Sequence, residues 1–394
     1  MVERLDHTEM QFHNPERKGI LVRVKRSPKV TTEIVTTNKG QFWTTKVHKK
    51  LLFLCTFVVK MDKKDFFNVL RSVYDQTQNL NECFMIINEY LLKILPPTLY
   101  RYRRVSKDSV EAFENDKFIT VVATKFNDPY DTLVAYNPDD IKTYLYESIS
   151  DELLVELKSM AKSTNGSCIL GQFSYGLKEL NDKYQQQVLK CRTTRELADC
   201  ILNVILSERF KEEVITPLKD VLKNFATIGC LCERKDSILM WSHYTDSHKG
   251  FLLEYDTTDL LVTAANNNAF LLPVDYSQFR YNATELVLAN VLRLLGINMS
   301  DWNTFEVLMA MVKKSDEWGY ENEWRVIRFP KQHIEKHNEV GIFTCKPKAI
   351  YYGSNISNDD RANLHSIATR KEITEFEMFL NETNSRFGMD YKPV

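Results

Sequence analysis

Three short clusters in this 394-residue chain hold the side chains best suited to chemistry. In Tyr100-Arg101-Tyr102-Arg103, strand alternation would put both guanidiniums on one face and both phenols on the other. Arginine offers a forked, permanently charged donor array, so the pair beside aromatics suits a phosphate-bearing ligand with a planar base. A surface strand with exposed arginines is the plainer reading. Thr124-Lys125-Phe126-Asn127-Asp128-Pro129-Tyr130-Asp131 sets an amide, carboxylates and a phenol on a turn at a strand end, where scaffolds often position functional groups. Here the plainer reading is an Asx-type turn whose side chains satisfy the local backbone. In Trp318-Gly319-Tyr320-Glu321-Asn322-Glu323-Trp324-Arg325, a strand would place Glu321, Glu323 and Arg325 on one face. Two carboxylates there repel unless an arginine, a metal or a ligand hydroxyl stands near. They read either as partners of Arg325 or as a glutamate poised on a sugar hydroxyl.

A fourth stretch, Trp241-Ser242-His243-Tyr244, offers a histidine able to carry a proton near neutral pH or to contact an acceptor. A hydrogen-bonded structural histidine would serve equally well. His243 and His248 stand five apart, which does not put both on one helical face, so no zinc site is read from them. The chain holds no G-x-x-x-x-G-K-[ST], no strand-linked G-x-G-x-x-G, no G-x-S-x-G and no H-E-x-x-H. P-loop, dinucleotide-fold, hydrolase-elbow and zinc-protease readings lose their signatures with them. Glycine is scarce, 12 of 394 against roughly 7% on average, which disfavours a site built on a glycine-rich phosphate loop.

Positioning these groups needs a packed core, and 43% hydrophobic residues with 5 Trp, 18 Tyr and 22 Phe supply one. A prior of about 150 residues per domain predicts two domains or one large elaborated one. Lys and Arg total 52 against 53 Asp and Glu, so no global basic field draws the chain to nucleic acid or membrane. The most apolar run, Leu51–Val59, falls short of the ~20 residues that span a bilayer and reads as a buried strand or short core helix. The polar N-terminus is not a secretory signal, and eight dispersed cysteines read as reduced thiols, so a cytoplasmic location is expected.

Residues 17–50 are rich in Lys and Arg, with strand-like VTTEIVTT at 30–37, and predict an extended arm or solvated edge. Helices are predicted over Asp65–Tyr74 and Leu80–Leu95, where Pro96-Pro97 stops the chain and marks a domain boundary. Strands follow at 99–105 and 117–124, then a helical region from about 140 to 224, broken near Asn165–Gly171. Further strands are predicted at 228–234, Gly250–Asp256, Leu271–Tyr276, 321–329, 349–353 and Glu375–Leu380. Helices are predicted at Ser237–Tyr244, Ala283–Leu295, Trp302–Lys313 and Asp359–Ala368, so the class is α+β.

The segments LYRYR, KFNDPYD, ILMWSHYTDSHKGFLLEYD and W-x-YENEWR, in this order, resemble a bacterial family of unassigned domains, number twenty-nine seventy-one among the domains of unknown function. That resemblance covers roughly residues 96–394 and leaves the N-terminal region, 1–95, outside. More loosely, the pattern is similar to the ADP-ribosyltransferase fold. The similarity implies a split, mixed or antiparallel sheet core, here with the helical insertion at about 140–224. In that fold an early strand anchors NAD, and Leu99-Tyr100-Arg101 resembles it. A later strand leads to a loop tyrosine that stacks on nicotinamide, which would be Tyr130, though Asn127-Asp128 stands where serines are usual. A late Asn-Glu-aromatic strand supplies the glutamate, matched by Asn322-Glu323-Trp324.

The resemblance thus implies a catalytic triad of Arg101, Tyr130 and Glu323, with NAD as substrate held by Arg101, Tyr102, Arg103, Asn127, Asp128 and Tyr130. His243, Tyr244 and Glu321 are candidate acceptor contacts, and no metal is assigned. Losing nicotinamide develops positive charge on the ribose, which a carboxylate stabilises while a stacked phenol fixes the geometry. The expected function is ADP-ribosyl transfer to a macromolecule, nucleic acid or protein, or hydrolysis of NAD. The resemblance suggests a bacterial toxin or anti-phage effector, with an antitoxin or defence-system partner. The alternative is a non-catalytic nucleotide- or nucleic-acid-binding module, and a third reading is a metal-dependent nuclease on Asp128, Asp131 and Glu323.

Overall fold

In the computed structural model, residues 7–14, 17–25, 30–37, 40–47, 62–162, 178–208, 211–294, 304–329, 339–383 and 387–394 are described. The apolar run 51–59 and the expected helix break at 165–171 lie outside them, as do the basic side chains of residues 17–47. The chain divides into two units, Met1–Ile94 and Leu95–Val394. In the first, strands β1 (His7–Asn14) and β2 (Arg17–Lys25) pair antiparallel, as do β3 (Val30–Thr37) and β4 (Gly40–Val47). Helix Lys63–Thr77 starts where the Asp62 carboxylate accepts from the Asp65 amide, and it buries Phe66, Phe67, Leu70 and Val73. Helix Leu80–Ile94 buries Cys83, Ile87, Tyr90 and Leu91 and ends before the prolines.

The second unit is built on a mixed open sheet with helices, which makes it α+β. Its strands are β5 (Thr98–Arg103), β6 (Lys117–Val122), β7 (Thr227–Cys232), β8 (Phe251–Asp256) and β9 (Ala269–Pro273). A separate parallel pair, β10 (Asp275–Ser277) and β11 (Lys313–Ser315), stands beside the sheet strands β12 (Glu323–Arg328) and β13 (Val340–Thr344) in the chain. The sheet is completed by β14 (Ala349–Tyr352), β15 (Thr374–Leu380) and β16 (Met389–Pro393). All its described ladders are antiparallel except β14–β15.

Strand β7 is where the sheet forks. One edge of β7 carries β12 along its full length, and β12 carries β9. The other edge is shared: Cys232 pairs with Tyr100 of β5, while Thr227 and Ile228 pair with Val122 and Val121 of β6. Beyond β5 lie β8, β14, β15 and β16, and beyond β6 lies β13. Gly229 sits in the crotch, where a Cβ would come within 2.5 Å of the Phe118 ring; a bare backbone lets β6 close in.

Between β6 and β7 run the helices Pro138–Ser148, Asp151–Lys162, Lys178–Lys190, Thr194–Ile205 and Thr216–Asn224. They pack around Ile141, Leu145, Leu157, Tyr184, Leu197 and Ile201 in a core that Val287 and Leu288 of helix Thr284–Leu294 join. No helix among the described residues is long and apolar enough to cross a membrane.

Several expected boundaries move. The strand expected over 321–329 begins at Glu323, because Asp316–Glu321 is a 3-10 helix capped by Ser315 and closed by Asn322 in the left-handed region at φ 45°. The strand expected at Leu271–Tyr276 is two, interrupted after Pro273. Helix Lys107–Glu114, with its Ser106–Ser109 capping box, helix Thr257–Asn266 on its Asp256 cap, and edge strands β13 and β16 were not expected.

Candidate functional site

Side chains two apart on a strand share a face, so β12 places Glu323 beside Arg325. Arg325 is fully buried, and its Nε and Nη2 donate to the two Glu323 oxygens at 2.9 and 3.2 Å. Its Nη1 and Nη2 also grip both oxygens of Asp131, at 2.9 and 2.7 Å, and Nη1 reaches the Met311 carbonyl at 2.6 Å. Such a bidentate fork is the strongest form of ion pairing that arginine makes. The 126–131 turn and the 321–325 segment therefore meet, 194 residues apart in sequence.

A second cation joins from β11. Lys314 Nζ donates to Glu321 at 2.6 Å and to Glu323 at 2.9 Å, with Asp131 at 3.9 Å. The Tyr244 hydroxyl donates to the other Glu321 oxygen at 2.6 Å, and the Tyr276 hydroxyl accepts from the Glu323 amide at 2.9 Å. Three carboxylates thus face two cations, a formal excess of one carboxylate in a buried site. Burial raises the Asp131 carboxyl above the usual range despite Arg325, and it raises Glu321 despite Lys314. Burial acts upward on Glu323 too, but Arg325 and Lys314 outweigh it and hold that carboxyl well below the usual range. Burial and the nearby Glu323 push the Cys230 thiol well up.

Lys314 also lines an open cleft of about 390 Å³, together with Asp128, Tyr130, Lys313, Ser315 and Trp318. Its ammonium lies 5.0 Å from the centre of the Trp318 ring. Asp128 is buried and its Oδ1 accepts from the Tyr130 amide at 2.8 Å, so the turn is the Asx type. That bond holds Tyr130 outward, 65% exposed at the mouth of the cleft. Asn127, exposed beside it, reaches the Tyr244 hydroxyl.

Arg101, Tyr130 and Glu323 do not meet around one cleft. Tyr100 and Glu323 both pair with Cys232, from opposite edges of β7, so they share one face of the sheet. Alternation then turns Arg101 and Arg103 to the other face. Arg101, 8% exposed, lies over the Phe118 ring at 4.2 Å and donates to the Ile119 carbonyl at 2.5 Å, bridging the two arms of the fork. Burial and the neighbouring Arg103 bring its pKa down to about 9. Tyr102 is core, edge-on to Trp241 at 5.2 Å, with its hydroxyl on the Arg234 carbonyl at 2.9 Å. The register thus turns Arg101 and Arg103 away from Glu323, and core packing, not the register, occupies Tyr102, so none of the three joins Tyr130 in the expected ligand set. Of the candidate acceptor contacts, Tyr244 and Glu321 meet inside the charge network, while His243 is exposed with its carbonyl 3.4 Å from Arg104 Nη2. The metal-nuclease reading also loses its ligands, because Asp131 and Glu323 are engaged by Arg325, and no described residues form a group able to hold a metal ion.

Lys314 is the residue that the sequence reading passed over. It follows the apolar helix Thr304–Val312, in the run LMAMVKK, where a pair of charges directly after a buried segment was the available signal. Tyr276 carried no such signal.

Residues 240–326 match the model of a family described as protein of unknown function (DUF2971). The matched segment contains Tyr244, Tyr276, Lys314, Glu321, Glu323 and Arg325, and it leaves out Asp131, LYRYR and FNDPYD. No curated protein and no solved structure matches the chain.

Proposed function

We propose that the cleft between Tyr130 and Trp318 takes NAD and that the chain cleaves its nicotinamide–ribose bond, passing ADP-ribose to a macromolecule or to water. The observation that carries this reading is the buried group of carboxylates, Asp131, Glu321 and Glu323, that stands directly behind Lys314 in the wall of the cleft. Bond cleavage sends the bonding electron pair onto the nicotinamide ring and leaves positive charge on the ribose carbon. A preorganised anionic site out of water favours that charge over the ground state. Glu323, kept ionised by its cations, supplies the field. Glu321, held above the usual carboxyl range, suits a group that takes the proton from the attacking hydroxyl or water. Tyr130 offers an exposed ring for stacking on the base. Arg101 has no part in this scheme. The α+β sheet with its fork at β7 is compatible with the ADP-ribosyltransferase kind of core, and a toxin or defence role is proposed on the sequence resemblance alone.

One observation favours a second reading, a non-catalytic nucleotide-binding module: Glu323 is only 2% exposed and already neutralised by two cations. Incubation with adenylate-labelled NAD, with and without RNA, DNA and protein acceptors, separates the two. Catalysis predicts free nicotinamide, lost by about a hundredfold or more in Glu323→Gln while NAD still binds. Binding without nicotinamide release selects the module, and absence of both refutes each reading.

A further inference from the structure

Alongside the cleft runs a strip of cations and exposed rings that the reaction above does not use. Lys219 and Lys223 stand four apart on helix Thr216–Asn224 and so share a face. Like charges at that spacing destabilise a helix, by a few tenths of a kcal/mol. Lys219 lies over the Tyr136 ring at 5.5 Å, and burial, then Arg280 and Lys211, lower its pKa. Lys223 Nζ donates to the Pro129 carbonyl at 2.7 Å, next to Tyr130. Arg280 is exposed and follows Phe279 in the turn after β10, which the Ser277 hydroxyl fixes by accepting from the Phe279 amide at 3.0 Å. That turn presents the Phe279 ring 79% exposed, on the same cleft as Tyr130. Among the described residues, none of Lys219, Lys223 and Arg280 has a carboxylate within ion-pair distance.

We propose that this strip, Phe279 and Arg280 through Lys219 to Lys223, binds a single-stranded nucleic acid, with phosphates on the three cations and a base on Phe279. Unpaired cations recruit the backbone, and an exposed ring beside them takes a base without regard to sequence. A duplex hides its base faces, so the ring discriminates against it. A local group of cations is how a protein with balanced overall charge, 52 Lys and Arg against 53 Asp and Glu, can still hold a polyanion. The inference holds whether or not the cleft cleaves NAD.

The test is fluorescence anisotropy of the full chain with end-labelled twenty-nucleotide oligo(dT), oligo(rU) and a duplex of equal length, without NAD. Both or either single strand should bind more tightly than the duplex, and the two arms show whether DNA or RNA is preferred. For three phosphate contacts, log affinity should fall with log salt at a slope of about −2. Lys219→Glu with Lys223→Glu and Arg280→Glu should weaken binding at least tenfold and flatten the slope. Phe279→Ala, at a site too exposed to affect folding, should weaken single-strand binding severalfold and leave the slope unchanged. Nicotinamide release from NAD alone should match wild type in Lys219→Glu with Lys223→Glu, two residues outside the lining of the cleft, so loss of strand binding and failure of the NAD reading are told apart. Absence of strand binding, equal affinity for duplex, or indifference to both sets of substitutions overturns the proposal. So does binding confined to an acidic polypeptide.

Discussion

Arg325 and Arg101 are both buried arginines on neighbours of β7, yet they are held in opposite ways. Arg325 lies among carboxylates, with a bidentate grip on Asp131 and two bonds to Glu323. Arg101 lies on the other face against a phenylalanine ring and one backbone carbonyl, and among the described residues no carboxylate pairs with it. The first is a node in a charged network beside a cleft; the second is packing that spans the fork. Residue type does not tell these apart. What decides is which carboxylates the strand register brings to the same face.

The largest break in this contrast should come from Arg325→Met. It strands Asp131 and Glu323 as buried anions, at a cost of about 3–5 kcal/mol in denaturant unfolding. Arg101→Met removes one hydrogen bond and a ring contact and should cost only about 1 kcal/mol. Equal losses in the two variants would erase the distinction.

Within the network, Glu323→Gln and Glu321→Gln should diverge with pH. The folded state depresses the Glu323 pKa, so its contribution is fully present above the ordinary carboxylate range and is lost as pH falls from there down through the depressed value. Glu323→Gln should therefore cost about 3 kcal/mol at neutral pH and progressively less in acid. Glu321 is shifted the other way, so its ionisation opposes folding as pH rises through and above that range. Glu321→Gln should change stability by less than about 1 kcal/mol, with its more favourable effect at neutral pH. Parallel pH profiles for the two would show that the charges are not apportioned this way.

On the Arg101 side, packing should matter more than charge. A Cβ at Gly250 would fall 2.0 Å from the Arg103 carbonyl oxygen, just after the turn where Asp246, Ser247 and His248 are successively left-handed. Gly250→Ala should destabilise by about 1–3 kcal/mol with no pH dependence, measured by the same unfolding assay.

Much of this arrangement is legible along the chain. Pro96-Pro97 stops a helix, the Asn-Asp-Pro turn follows from residue chemistry, and the helices of the insertion follow from apolar spacing. The pairing of Glu323 with Arg325 is legible as well, since it needs only alternation within one strand. What local pattern does not contain is that Tyr100, rather than Arg101, shares a face with Glu323. That depends on the single pairing of Tyr100 with Cys232. Glu321 likewise joins the network from a capped 3-10 turn and a left-handed Asn322, not from the strand that its neighbours predict. Lys314 enters through a parallel pair, β10–β11, whose strands lie 38 residues apart.

The fork also bears on how the chain finds its shape. Because β5 and β12 flank the same strand, the assembly cannot close until residues 98–103 meet residues 227–232 across the whole helical excursion. Loop-closure entropy grows only with the logarithm of length, so the finished protein loses little by this detour. Speed is where the detour tells, since long-range pairings are slow to form. An excursion with an apolar centre can condense early and shorten the effective tether that the sheet must close.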